Sequence, residues 1–385
     1  MLLPPLGAGA SLHAMDALRE LATLLRPAGG GLYLVSAGKA EQLALQQKLY
    51  GVQSEADVQT QFEKRIEQLA SARGFILGVP SDVGAGFQRG ANLGPQAMRV
   101  GLLQEVAGYP EKLAAAGIVD LGDVFVVPQI LHDEMLSEGQ KLATRNAIYP
   151  RVDKQEAARL PVSPLSITER ALELAFSLNP KLKPMVLGGD HSVAWPVSAA
   201  LARVHGQDFA IVQPDAHTDL LAERLGVKYC FGTWSYHAND LLGRGGKLVQ
   251  VGIRSTRREK EHWEGTLGVK QFWARECVAH PQQALDAILA HVASLKVRGV
   301  YFSNDIDGTD AAFADATGTP EVDGLAPEFV VQLIRRLGAE VGLLGGDLME
   351  LAPMLGGKPD SRARTVSLAV RYVRETLNAA LQAGV

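Results

Sequence analysis

"IVQPDAHTDLL", residues 211–221, is the stretch on which the fold turns. A short apolar run, Ile211 and Val212, gives way to Asp215, His217 and Asp219 at every second position. Side chains alternate faces along a strand, so these three point the same way if strand geometry persists. Two carboxylates and an imidazole crowded on one face are costly unless a cation lies between them. A polar strand end running into an ordinary loop is the bland explanation, and so short a pattern does not exclude it alone.

Working outward, similar apolar runs recur along the chain. They are "GFILGVP" (74–80), "GIVDLGD" (117–123), "PMVLGGD" (184–190), "FAIVQPD" (209–215), "KLVQVGI" (247–253), "VKQFW" (269–273), "GVYFSND" (299–305) and "VGLLGGD" (341–347). Most are continuously apolar rather than alternating, as expected of parallel strands buried on both faces. Helical patterns lie between them, among them "SVAWPVSAALARV", "PQQALDAILAHVASL" and "PEFVVQLIRRLGA", and the chain closes on "SLAVRYVRETLNAALQ". This rhythm predicts a doubly wound α/β sheet with helices on both sides.

Residues 1–54 read as an N-terminal extension, a candidate assembly arm, ahead of a catalytic domain at 55–385. Within the extension, "MDALRELATLLR" has helical spacing, "GLYLVSAG" (31–38) predicts a short strand, and "AEQLALQQKLYG" a second helix stopped by Gly51. Ser54 with Asp57 after it marks the start of the next helix. The stretch 124–166 is long and proline-punctuated, with a short helix expected at 132–145.

Composition narrows the function classes. Of 385 residues, 47% are hydrophobic and 21% charged, with a formal net charge of −4, which gives no footing to a nucleic-acid or anionic-membrane partner. The only cysteines, Cys230 and Cys277, are far apart and not in a metal-type spacing. "MLLPPLGAGASLHAM" has no basic residue ahead of its apolar stretch and is broken by Pro4 and Pro5, so it makes a poor signal peptide. No run is long and apolar enough for a membrane span. A cytoplasmic location is expected.

Four strand ends share one feature. They terminate in Asp190-His191, in Asp215/His217/Asp219, in Asp305/Asp307, and in Asp347 with Glu350 shortly after. Ligands of open parallel sheets bind outside the carboxyl ends of the strands, and these are those ends. His191, Asp215, His217, Asp219, Asp305 and Asp307 bring four carboxylates and two imidazoles together. Such a cluster does not stay ionised in a dry cleft by itself. Two divalent cations would neutralise it. Oxygen and imidazole donors without thiolates suit manganese best, with nickel, cobalt or zinc as alternatives. A pair of ions about 3.5 Å apart is a device for activating water at neutral pH.

"LGGDHS" (187–192), "DAHTD" (215–219), "SNDIDGTD" (303–310) with "ATGTPEVDGL" (316–325), and "GGDLMELAP" (345–353) together resemble the arginase/agmatinase/formimidoylglutamase family, the ureohydrolases. "GVPSDVGAGFQRGANLGPQAMR" (78–99) is similar to that family's N-terminal glycine-rich segment. The resemblance implies a three-layer α/β/α sandwich on a mostly parallel eight-stranded sheet. It implies two Mn2+ ions held by the six residues just named, with Ni2+ as the alternative, and hydrolysis of a guanidino or formimino C–N bond by a metal-bridging hydroxide. Asp219 would hydrogen-bond that hydroxide, and Glu350 would grip the substrate's guanidinium, for which a carboxylate is the bidentate match. A helix N-terminal acid is the plainer explanation of Glu350. Assembly as a trimer or hexamer also follows from the resemblance. Gly188 and Gly189 read as tight-turn residues that present His191. Asp190 and Asp310 read as groups that orient ligands.

Arginases and agmatinases carry a His-Gly pair after the D-x-H-x-D motif, and here Phe231 stands at the histidine's place in "YCFGTWSYHA" (229–238). Phenylalanine cannot relay a proton, so His237, Tyr236 beside it or water becomes the candidate shuttle, with a surface residue at a helix start the plainer explanation of His237, and Phe231 a candidate wall of the substrate pocket. Where arginases hold the amino-acid end of arginine with an Asn, this chain has Leu221, followed by "AERLGVK" (222–228). The expected substrate is therefore an agmatine-, guanidinobutyrate- or guanidine-like compound rather than L-arginine. The formimidoylglutamase pattern shares the missing histidine but has an Arg after D-x-H-x-D that is absent here, while Arg224 or Lys228 remains to meet a carboxylate. Phe231 and the extension also motivate a catalytically weak assembly or regulatory subunit. A single-zinc deacetylase is disfavoured, because it would not need the second set of carboxylates.

Overall fold

The computed structural model describes residues 12–34, 36–357 and 359–385. The segment read for a leader peptide lies largely outside them. Nine strands form one sheet: β1 (Leu25–Arg26), β2 (Gly74–Gly78), β3 (Ile118–Val124), β4 (Lys183–Leu187), β5 (Ala210–Pro214), β6 (Leu248–Ile253), β7 (Lys270–Trp273), β8 (Val300–Asp305) and β9 (Leu343–Met349). Their order across the sheet is β1-β3-β2-β4-β9-β8-β5-β6-β7. The eight expected strands are all present and parallel to one another. The ninth, β1, pairs antiparallel with β3, setting Leu25 against Val124 and Arg26 against Asp123.

The predicted strand at 31–38 is not one. Among the described residues of that stretch the chain turns instead. The outer edge of β3 is already taken by Leu25–Arg26. Gly31 passes so close to Asp123 and the Val124 carbonyl that a side chain there would overlap them. Its N–H goes to Asp123 Oδ2 at 3.3 Å rather than to a ladder. The helices on either side follow the sequence more closely. Gly51, at φ 68°, ends the helix Lys39–Tyr50, and the Ser54 hydroxyl caps Glu55–Glu67 by accepting the Asp57 N–H. The helix expected at 132–145 lies at Glu138–Ile148, behind a capping box of Ser137 and Gln140.

Helices cover both faces. On one, Leu12–Leu24 packs on Pro164–Leu178, which packs on Ala194–His205; on the other, Gly94–Glu105 and Pro327–Glu340 pack on Pro359–Leu381. Leu21, Leu24 and Leu25 are fully buried in the common core, which the helix Leu12–Leu24 and β1 thus join. Both cysteines are free and buried. No described helix is long and apolar enough to cross a membrane.

One buried charge network belongs to the scaffold. Arg99, on the helix Gly94–Glu105, donates from Nε and Nη2 to the two Asp120 oxygens at 2.9 Å each. It also donates to Asp123 and to the Gly122 carbonyl. All three charged side chains are essentially inaccessible to water.

Candidate metal centre and substrate pocket

The chain runs outward from β4, crosses over, and resumes at β5 with β9 and β8 inserted between them. These four are contiguous, and their carboxyl ends meet at the topological switch where α/β sheets bind ligands. The register aligns Leu187 with Leu348 and Asp305 with Met349, so the four ends lie level. His191 follows β4, Asp215 to Asp219 follow β5, Asp305 ends β8, and Glu350 follows β9.

Two overlapping groups of donors result. His191, Asp215 and Asp219 offer atoms within 4.8 Å of one another, as do Asp215, His217 and Asp307, and Asp215 is common to both. Asp305 joins the first group: its Oδ2 lies 2.9 Å from His191 Nδ1, which is also 3.4 Å from Asp215 Oδ2 and 3.7 Å from Asp219 Oδ2. His217 Nδ1 lies 3.1 Å from Asp307 Oδ2 and 3.6 Å from Asp215 Oδ1. The structure thus brings all six sequence-predicted ligands together.

The neighbours of these groups fix which atoms face inward. His191 Nε2 sits 3.1 Å from Ser303 Oγ, which donates to Asp347 at 3.0 Å. That chain keeps a proton on Nε2 and turns Nδ1 toward the carboxylates. Trp234 stacks on the His191 ring at 4.5 Å and donates its indole N–H to Asp219 Oδ2 at 3.0 Å. Thr319 donates to Asp307 Oδ2 at 3.0 Å. Gln213 donates to Asp215 Oδ2 at 2.7 Å, and behind it Gln250 donates to Gln213, Gln271 to Gln250, and the Trp273 indole to Gln271. The three glutamines lie directly opposite one another on β5, β6 and β7.

Asp219 and Glu350 both hold positive φ, 50° and 62°, which non-glycine residues adopt at a cost. Gly188 and Gly189 do not. Neither has a positive φ, and the expectation of tight-turn glycines gives way to close approach: side chains there would overlap Met349 and the Ser81 backbone. Asp190 accepts from Ser192 and Gly84 N–H groups, so it orients the turn carrying His191. Asp310 accepts from Ala312 and Gly324 and ties down a loop without touching a ligand.

The charges do not balance within the chain. Burial pushes the Asp219 and Asp305 carboxyls well above the ordinary carboxylate range, and neighbouring carboxylates push them further. Burial pulls the two imidazoles down, but Asp215, Asp305 and Asp307 outweigh it and raise both. Oxygen and imidazole donors, shared through one carboxylate and short of cations, suit a pair of hard or borderline divalent ions.

Glu350 is not a helix N-terminal acid, since the next helix begins only at Pro359. Its Oε1 accepts the His191 N–H at 2.9 Å. It lines a small cavity of about 220 Å3 with His217, Phe231, Arg224, Gly86, Phe87, Gln88, Gly318 and Thr319. Phe231 lies on the wall of this cavity. His217, Arg224 and Phe231 also line a larger outer cavity of about 680 Å3. The structure does not bring His237 to the cluster. Its Nε2 lies 3.0 Å from both the Ala222 and Lys228 carbonyls, and its ring packs on Trp195, Tyr229 and Tyr236.

Sequence reasoning missed Trp234, Ser303, Gln213 and Thr319. Ser303 and Thr319 lie inside quoted motifs, and Gln213 is a polar residue in an otherwise apolar buried run, which was the available signal.

Residues 72–378 match the model of the arginase family. The chain belongs to that family. It is 30% identical over 291 residues to a guanidinobutyrase of Pseudomonas aeruginosa, covering 72% of this chain and 78% of the relative. It is 31% identical to a mitochondrial agmatinase of Gallus gallus, over 75% of this chain and 78% of the relative. Among solved structures, proclavaminate amidino hydrolase from Streptomyces clavuligerus superposes with a TM-score of 0.62 at 27% identity, over 81% of this chain and 92% of that one. The protein is thus a ureohydrolase, an enzyme that hydrolyses C–N bonds of linear amidines.

Proposed function

We propose that this arginase-family enzyme releases urea from a small guanidino compound, and that L-arginine is a poor substrate. The observation that carries this reading is one small cavity lined by both Glu350 and His217. His191, Asp215, Asp219 and Asp305 would hold one divalent ion, and Asp215, His217 and Asp307 the other. Manganese is the best match and nickel the alternative. Bound there, the pair supplies activation of water at neutral pH.

The side chains supply the rest. Glu350 has one oxygen tied to the His191 N–H. The other is left for the substrate. Burial raises its carboxyl well above the usual range, so a guanidinium beside it restores the charged form, and the ion pair is strengthened by exclusion of water. Asp219 has Oδ2 taken by Trp234. Its Oδ1 is available to accept a proton from the attacking water. Leu221, which lines the outer cavity and is 47% exposed, gives the α-ammonium of arginine no partner.

The test is a urea-release panel over agmatine, 4-guanidinobutyrate, guanidine and L-arginine, using protein stripped of metal and reloaded with manganese or nickel. Urea from at least one small guanidino compound, with two ions per chain and arginine the weaker substrate, is expected. No urea from any of them, or arginine as the best, overturns the reading.

A further inference from the structure

We propose that the mouth of this site selects guanidino acids, compounds whose far end is a carboxylate, and that Arg224 is the residue that reads it. The inference rests on the guanidino reading above and narrows its substrate class.

The two connected cavities are bipolar. At the reacting end, Asp219 and Glu350 are the only carboxylates among the lining residues of either cavity. Toward solvent the lining turns cationic, with Arg224 in both cavities and Arg254, Arg257 and Arg258 in the outer one. Arg254 is committed elsewhere: it donates to the carbonyls of Gly252, Asp307, Gly308, Thr309, Glu321 and Val322. Arg224 is not. Among the described residues it has no carboxylate within ion-pair distance, and its guanidinium lies 4.6 Å over the Phe231 ring. A guanidinium in such a place keeps its N–H groups available for a planar acceptor, and a carboxylate is the two-pronged match.

The arginine is also held in place. Arg224 and Val227 exchange both backbone hydrogen bonds, at 3.0 and 2.9 Å, around Leu225 and Gly226, which both have positive φ. That is the backbone of a primed two-residue hairpin, here with an exposed leucine where glycine or asparagine is usual. His237 Nε2 bridges the carbonyls of Ala222 and Lys228, which flank the hairpin on both sides. The histidine that the sequence offered as a proton relay is thus a positioning residue for the loop that carries Arg224.

This arrangement sorts substrates by their tails. A carboxylate meets Arg224, an amine tail is repelled by it, and an α-amino acid brings an ammonium for which no carboxylate waits. The experiment compares kcat/KM for 4-guanidinobutyrate, agmatine and neutral butylguanidine in wild type, Arg224→Gln, Arg224→Lys and Arg224→Glu. Metal content and thermal melting check that each variant is folded. Wild type is expected to prefer the acid over butylguanidine by about 10- to 100-fold, the worth of a charge-assisted hydrogen-bonded pair. In Arg224→Gln the ratio falls toward one, mostly through KM, because a far-end contact binds substrate and transition state alike. Arg224→Lys keeps part of the preference, and Arg224→Glu reverses it toward agmatine. Turnover of these compounds without preference for the acid, or a preference that survives Arg224→Gln, overturns this proposal alone. No turnover of any guanidino compound by wild type overturns it together with the reading it rests on.

Discussion

Two sets of carboxylates are buried in this protein, and they are neutralised in opposite ways. Asp120 and Asp123 share Arg99, whose guanidinium reaches both and is raised further above its ordinary value by them despite the cost of burial. Asp215, Asp219, Asp305 and Asp307 converge on two histidines, with no lysine or arginine within ion-pair distance of any of them among the described residues. The first set carries its cation in the sequence. The second leaves the place for cations that the chain does not encode. The contrast separates a buried charge that holds a scaffold from one that, under the proposed function, holds an ion.

The sharpest way to break the contrast is to remove a carboxylate from the open set. Asp305→Ala or Asp215→Ala is expected to cost at least one ion per chain and nearly all activity, while circular dichroism reports a folded sheet. Metal analysis that finds two tightly held ions in either variant would remove the distinction between the two clusters. In the closed set the opposite outcome is expected. Arg99→Met leaves Asp120 and Asp123 buried without their partner, and denaturant unfolding should show a loss of about 3–5 kcal/mol, with both ions retained in the protein that remains folded. An effect of comparable size is expected from chelation of wild type. Ions at about one hundred times their dissociation constant stabilise the native state by about 2.7 kcal/mol per site, so stripping them should lower the melting temperature and adding manganese should restore it. If melting ignores the chelator, the open cluster is closed by protons instead.

The sequence made the eight parallel strands and the six cluster residues legible for one reason. Both are written locally, as apolar runs and as carboxylates and histidines two residues apart at their ends. What is written between distant strands was hidden. β1 has two residues and no period to detect, yet it occupies the outer edge of β3, and 31–38 is not a strand. Gln213, Gln250 and Gln271 are unremarkable one by one and become a row only when the register sets them opposite each other. His237 failed differently. Its position near Phe231 in the chain suggested a shared task, but the helix Trp234–Leu241 turns it toward the loop and turns Trp234 toward the cluster.

The glutamine row has a direction. An indole nitrogen can only give a proton, so Trp273 obliges Gln271 to show it an oxygen, and every amide beyond must then point its nitrogen onward until Gln213 gives its N–H to Asp215. No single amide can turn round without opposing its neighbour. The way Asp215 is met inside the protein is therefore tied to the rim of the sheet, where a tryptophan on the outermost strand starts the row, while the Thr218 carbonyl and the Ser235 hydroxyl hold Gln250 and Gln213 the same way round.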